Sequence, residues 1–394
     1  MPTPNATLSP DTEILQSTTL YDVLSHVNLE VVFIVVAAMI FTALLSFALT
    51  PLARVLGFKI GAVDIPDTTR HFHRRPTPRC GGIAIFTAFI AGVLIFCPLD
   101  RATIGLLLGT LCIMLLGLWD DTVQLKPLVK LAGQIVCAVI PVCFGIIIKS
   151  FTLFGTTIDL PTPAAVALTI FWIVFLTNAV NLIDGLDGLA CGVSAVSSIS
   201  LLICSLICAQ ITGNTTMPVL VAILTAACVG FLPFNMSPAK IFMGDSGALS
   251  LGFVLSTLSV YGLFKIDAVY SFFIPFLIFA LPLFDTTFSF IRRILHKQSP
   301  FAADRKHIHH RLLDFGFKQK EVVVFLLSFS AMLGISAIMF SLARYVTAFI
   351  IAATAILLLS IMFIIFRHKT VGEFLKIQRE DSVEEEKKQE NSHQ

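Results

Sequence analysis

The stretch Val166-Ala-Leu-Thr-Ile-Phe-Trp-Ile-Val-Phe-Leu-Thr-Asn178-Ala-Val-Asn181-Leu-Ile-Asp184-Gly185-Leu-Asp187-Gly188 decides the architecture. It begins as an apolar run and ends with a polar residue at every third position. A run near twenty apolar residues is about 30 Å long as a helix, the thickness of a hydrocarbon core. A polar group at membrane depth is costly unless it has a partner. The segment therefore reads as a membrane helix that ends in chemistry. Successive polar members share a helix face but drift by about 60° per step, so Asn178 and Asp187 would point opposite ways on an unbroken helix. Gly185 and Gly188 are expected to break it and let the side chains converge.

The rest of the chain repeats the pattern. With 56% hydrophobic residues, 13% charged and a mean hydropathy of +0.89, it is too apolar for a soluble domain. The expected fold class is all-α, a polytopic integral membrane protein of about eleven transmembrane helices, near 29–49, 81–99, 103–118, 128–148, 163–181, 188–209, 216–234, 247–264, 269–291, 321–342 and 345–366. Residues 1–28 hold Asp11, Glu13 and Asp22 but no Lys or Arg, so they lack the basic region of a cleavable signal peptide and read as an extracytoplasmic segment. Residues 29–366 form the transmembrane catalytic domain, and 367–394 a charged cytoplasmic tail expected to be disordered. With the N-terminus outside, every one of the 27 Lys and Arg residues except Arg101, Lys149, Lys265 and Arg344 falls on one face. The positive-inside rule assigns that face to the cytoplasm. Nine cysteines without a CxxC pair indicate neither a disulfide framework nor a zinc site.

Most carboxylates lie on that same face. Span three ends in Trp119-Asp120-Asp121, where two adjacent carboxylates could share a proton, hold a cation, or simply cap a helix end. Asn178, Asn181, Asp184 and Asp187 supply hard oxygens of the kind that Mg²⁺ takes beside phosphate. Asn235 opens a loop in which Phe242 precedes Gly244-Asp245-Ser246-Gly247, a carboxylate flanked by glycines just before a helix. Such a turn offers an acceptor to a metal and free N–H groups to phosphate. The first loop, from Lys59 through Asp64, Pro66, Arg70 and His73 to Pro78, Gly81 and Gly82, holds cations suited to phosphate or to ordinary anchoring. The fifth, Asp304-Arg305-Lys306-His307-Ile-His309-His310-Arg311, reads as a donor set for a diphosphate or sugar rather than a metal tract. Asp285 lies deep enough in span nine to require a partner that the sequence does not identify.

In their order, these motifs resemble the polyprenyl-phosphate N-acetylhexosamine-1-phosphate transferases from about Lys59 to Leu313. The histidine loop at 303–312 is similar to that of the GlcNAc-1-phosphate branch. The resemblance implies transfer of a sugar-1-phosphate, with UDP-GlcNAc the favoured donor, to a polyprenyl phosphate at the cytoplasmic face of the plasma membrane, with release of UMP. It implies Mg²⁺, with Mn²⁺ a substitute, held by Asp245 and Asn181. Catalytic roles fall to Asp120, Asp121 and Asp184, and substrate binding to Lys59, His73, Asp187, Asn235, Phe242, Arg305, His307, His309 and His310. Single displacement is favoured over a covalent aspartyl-phosphate. A homodimer is an open option, and nucleic acid is not an expected partner. The chain departs from the family pattern at Thr122, where a Lys, Arg or bulky residue is expected after the Asp pair. The alternatives are a phospho-MurNAc-pentapeptide transferase, a CDP-alcohol phosphotransferase, for which Ala190-Cys191 stands where Ala-Arg is needed, and a cation-coupled transporter, for which no repeat shows.

Overall fold

The computed structural model describes residues 29–65, 76–153, 156–262, 273–297, 307–342, 344–362 and 364. The segments 1–28 and 365–394, with the readings made of them, lie outside the described residues. Helices dominate: α1 (Leu29–Ile60), α2 (Gly81–Phe96), α3 (Arg101–Val123), α4 (Pro127–Cys143), α5 (Thr162–Ile183), α6 (Leu189–Thr212), α7 (Thr216–Asn235), α8 (Gly244–Gly262), α9 (Phe273–Ile278), α10 (Ala280–Leu295), α11 (Ile308–Asp314), α12 (Gln319–Ser341) and α13 (Tyr345–Met362). Two antiparallel hairpins qualify the all-α expectation: β1 (Val63–Asp64) with β2 (Thr77–Pro78), and β3 (Ser150–Leu153) with β4 (Thr156–Asp159).

Among the described residues, seven helices (α1, α3, α5, α6, α7, α12 and α13) are long and apolar enough to cross a membrane. The shorter α2 and α4 are also apolar. The chain is thus a helical multi-pass membrane protein. Helix α1 continues to Ile60, well past the apolar run that ends at 49, and so carries Lys59 in its last turn rather than in a loop. Apolar length sets where a helix must lie in lipid, not where the helix itself stops.

The core is organised around α8, which packs against α2, α3, α5, α6 and α7. Nearly every residue from Ser246 to Tyr261 is buried. Small residues (Gly247, Ala248, Ser250, Gly252, Ser256, Ser259) bring neighbouring backbones close, the usual basis of helix association in lipid. Several hydroxyls are satisfied within the helix: Ser250 donates to the Ser246 carbonyl and Thr257 to the Phe253 carbonyl, at 2.7 Å each. Trp172 of α5 donates its indole N–H to Ser259 Oγ at 3.0 Å. By contrast α1 and α13 expose rows of large apolar side chains, among them Phe33, Ile40, Leu44, Phe349, Ile350 and Leu357. These are the faces that suit lipid.

Candidate active site

The N-terminus of α8 sets the site. Gly244 opens the helix at φ +70°, a left-handed conformation that a side chain would strain. The first N–H groups of a helix have no internal partner. Here they point at Asp121, near the end of α3: Asp245 donates its N–H to Asp121 Oδ1 at 2.7 Å and Ser246 to Oδ2 at 2.9 Å. Gly117, one turn earlier in α3, lies so close that a Cβ there would meet the backbone of Asp245 and Ser246. Asp121 therefore spends both oxygens as a long-range cap.

Its neighbour Asp120 faces elsewhere. It is 7% exposed, accepts the Leu125 N–H at 2.7 Å and forms an ion pair with Lys130 Nζ at 2.8 Å. Lys130, one turn into α4, also lies 2.5 Å from Asp245 Oδ1. Asn181 completes the group when its amide is oriented to satisfy both neighbours: nitrogen donates to Asp245 Oδ1 at 2.9 Å, and oxygen accepts from Lys130 Nζ at 3.1 Å. Oxygens from α3, α5 and α8 thus converge on one ammonium contributed by α4. A step deeper, Gln134 and Asn178 join α4 to α5 through reciprocal amide hydrogen bonds, at 3.2 and 2.5 Å. Asn178 pairs there and takes no part in the Lys130 group.

The loop after α5 breaks as the glycines suggest, with Gly188 at φ +77°. Asp184 ends the helix, partly open to solvent by area. Its carboxyl is pushed up from 3.8 to about 7, first by desolvation and then by Asp245, with Arg79 opposing and Asp121 and Asp187 adding. Asp187 accepts the Ala239 N–H at 3.0 Å and so holds the loop that follows α7. Asn235 closes that same loop by donating to the Ile241 carbonyl at 3.1 Å. Phe242 belongs to a seam between the first and fourth loops: it donates its N–H to the Pro78 carbonyl, while Gly81 and Gly82 donate to the carbonyls of Phe242 and Met243, at 2.8, 3.0 and 3.0 Å.

The histidines reach the site at Gly185. The His309 ring abuts Gly185, where a Cβ would fall on its Nε2. His309 is 2% exposed, and neither ring nitrogen has a hydrogen-bond partner among the described residues. Desolvation first, then His310, pushes its pKa down from 6.5 to about 3, so the ring is neutral at physiological pH. His307 lies parallel to it at 5.8 Å, and His310 packs at 4.3 Å. His307 Nδ1 pairs with Asp285 Oδ2 at 2.8 Å, which names the partner that the sequence left open.

Asp120, Asn181 and Asp245 thus share one bonded cluster; Asp121 abuts it through the α8 backbone, and Asp184 lies within electrostatic reach. Lys59 is exposed outside the cluster. Asp187 and Asn235 order a neighbouring loop, while His73 and Arg305 lie outside the described residues. Thr122 turns back to the carbonyls of Leu118 and Trp119, at 3.2 and 2.9 Å, so the departure from the family pattern leaves the carboxylate contacts alone. Lys130 is the residue that sequence reasoning missed. Its signal was a lone cation one turn inside an apolar helix, after Lys126-Pro127.

No group of three His, Cys, Asp or Glu side chains among the described residues could hold a metal. A magnesium ion needs less: one or two carboxylates, substrate phosphate and water. Asp245 and Asn181 fit that demand, because hard oxygens already converge there on a cation.

The glycosyl transferase family 4 model matches residues 103–263, which contain the whole Lys130 cluster. A Bacillus subtilis protein described as a probable undecaprenyl-phosphate N-acetylglucosaminyl 1-phosphate transferase is 40% identical over 306 residues, 77% of this chain and 84% of that one. The decaprenyl-phosphate N-acetylglucosaminephosphotransferase of Mycolicibacterium smegmatis is 33% identical over 312 residues, 72% and 76% of the two chains. The undecaprenyl-phosphate alpha-N-acetylglucosaminyl 1-phosphate transferase of Thermotoga maritima is 34% identical over 308 residues, 77% and 91%. With identity sustained over most of both chains, and the matched segment holding the carboxylates, the asparagine and the lysine that meet here, this chain belongs to glycosyl transferase family 4.

Proposed function

We propose that this chain transfers GlcNAc-1-phosphate from UDP-GlcNAc to a polyprenyl phosphate, with undecaprenyl phosphate the favoured acceptor. The observation that carries this reading is the convergence of Asp120, Asn181 and Asp245 on Lys130, beside Asp184 and the histidines. The relatives' names supply the lipid and the sugar. In the reaction an oxygen of the lipid phosphate attacks the sugar-bearing phosphorus, the bridging P–O bond breaks in line, and UMP leaves with the bridging oxygen. Asp120 orients the lipid phosphate and accepts its proton if one is present. Lys130 balances the charge of the approaching phosphates, and His307, His309 and His310 line the donor side. Asn181 and Asp245 would hold Mg²⁺ or Mn²⁺, which would offset phosphate repulsion and stabilise the leaving group. Single displacement is favoured because Asp121 has both oxygens on backbone N–H groups and Asp120 is ion-paired, so neither is a free nucleophile.

Eleven spans with the N-terminus outside would put the site at the cytoplasmic boundary of the plasma membrane. The one-sided distribution of Lys and Arg supports that orientation, as does a donor made in the cytosol. Purified protein given undecaprenyl phosphate, Mg²⁺ and UDP-GlcNAc should release UMP in proportion to lipid, and faster than with UDP-GalNAc or UDP-MurNAc-pentapeptide. UMP release independent of lipid, or full rates in Asp120→Asn and Asp245→Asn, would refute the assignment. Radiolabelled phospho-enzyme trapped without lipid would overturn single displacement.

A further inference from the structure

We propose that Asp285 is the positioning residue of the histidine loop: its buried carboxylate takes the Nδ1–H of His307 and so leaves Nε2 as the nitrogen offered to substrate. The inference rests on the transferase reading for its catalytic consequence, though not for its geometry.

Asp285 sits in α10, whose outward face is apolar, with Phe284, Phe288, Ile291 and Leu295 exposed. The carboxylate points the other way and is 3% exposed. A buried carboxylate in such a helix is costly, and it persists where it has a task. Both of its oxygens are used on one target. Oδ2 lies 2.8 Å from His307 Nδ1, and Oδ1 accepts the N–H of Ile308 at 2.9 Å. One carboxylate therefore fixes the ring and the backbone beside it, which sets both the place and the rotation of the imidazole. Ser289, one turn along α10, lies 3.4 Å from the same Nδ1 and accepts from Arg292 Nη2, also at 3.4 Å.

The chemistry follows from the partner. With Oδ1 accepting from the Ile308 N–H and Oδ2 placed as the acceptor on the ring, Nδ1 is the nitrogen that carries the hydrogen. That leaves Nε2 as the acceptor in the neutral ring and as a second donor in the charged one. The orientation is passed on by packing: the His307 and His309 rings are parallel within 5° at 5.8 Å, and His309 abuts Gly185 next to Asp184. A residue of α10 thus aligns the histidines with the carboxylate cluster. It acts through His307 and touches no reacting atom.

The test has two readouts. In ¹⁵N-histidine-labelled wild-type protein in nanodiscs, His307, assigned by loss of its signal in His307→Gln, should carry its hydrogen on Nδ1. A neutral ring protonated on Nε2 overturns the proposal, and this result does not depend on any activity. In the lipid-dependent UMP assay, Asp285→Asn keeps an oxygen for the Ile308 N–H but can donate to Nδ1, which would move the hydrogen to Nε2. It should lower kcat roughly 10- to 100-fold while the KM for UDP-GlcNAc changes less than about twofold. Asp285→Asn/His307→Gln should be no slower than His307→Gln alone, since the two residues act as one unit. Full kcat in folded Asp285→Asn, or losses that multiply in the double variant, would overturn it. If Asp285→Asn fails to fold, the wild-type tautomer decides. If the wild type transfers no sugar phosphate while His307 carries its hydrogen on Nδ1, the transferase reading fails and the Asp285 geometry stands.

Discussion

Replacing Asp121 should destabilise the protein more than replacing Asp120, although the two are adjacent and chemically identical. Asp121 accepts two backbone N–H groups at 2.7 and 2.9 Å, both at the start of the most enclosed helix. Hydrogen bonds to a charged group contribute about 1.5–3 kcal/mol each, and removal leaves two part-buried backbone donors without their acceptor. Against this, losing the Asp121 charge relieves repulsion with Asp245 and Asp184. The balance for Asp121→Ala is roughly 2–3 kcal/mol, with Asp121→Asn about half of that because an amide oxygen retains one acceptor role. Asp120→Ala loses one backbone N–H, that of Leu125, and an ion pair whose ammonium keeps Asp245 as a partner, so its cost is about 1–2 kcal/mol. Purified variants would be compared by thermal unfolding in one detergent and by pulse proteolysis. The expected order of stability has wild type first and Asp121→Ala last, with Asp120→Ala and Asp121→Asn between them. Activity should fall in all three, but in the Asp121 variants it should fall along with the folded fraction. An Asp121→Ala protein with wild-type stability and no activity would refute the capping role and return Asp121 to the chemistry.

Three further outcomes are expected. Lys130→Ala should lower kcat/KM by roughly 10²–10³-fold, the scale of losing a charged group at a phosphoryl-transfer site; it should also unfold at lower temperature in EDTA than in Mg²⁺, by a wider margin than wild type, as measured by paired melting curves. Gly185→Ala should cost about 1–3 kcal/mol through the clash with His309, and His309→Ala in the same chain should restore the melting temperature without restoring the rate. Asp184 binds its proton more tightly folded, at about 7, than unfolded, at 3.8, so in EDTA its contribution is fully present below about pH 4 and is lost as the pH rises toward 7. Asp184→Asn should flatten that slope in pH-dependent melts, and an unchanged slope would show that the carboxylate ionises normally.

Much of the architecture was readable from the apolar runs, because a membrane helix must satisfy its own backbone and announces itself by length. The two hairpins and the continuation of α1 to Ile60 were not, since neither is set by hydrophobicity. Within the site, the sequence identified Asp120, Asp121, Asn181, Asp184 and Asp245 as candidates, but not how they divide. Adjacent residues on a helix point about 100° apart, and which of the pair meets α8 depends on a helix more than a hundred residues later. The third-position array is divided too: Asn178 pairs with Gln134, Asp187 accepts from the Ala239 N–H, and Asn181 joins the Lys130 group.

Lys130 shows why such a cluster cannot be read from its acids alone. Asp120, Asp121, Asp184 and Asp245 gather at one end of the bundle, where desolvation makes like charges expensive. Backbone N–H groups offset Asp121, and Arg79 helps Asp184. Asp120 and Asp245 share only the Lys130 ammonium as a counter-charge among the contacts described. A lysine suits that place for a physical reason. Its compact charge sits on a flexible four-carbon stem, so it can turn from one carboxylate toward an arriving phosphate and still remain bonded to the other. An arginine would bind both acids through a rigid planar fork and would yield less readily. The same side chain can thus hold the acidic face together between turnovers and neutralise phosphate during one.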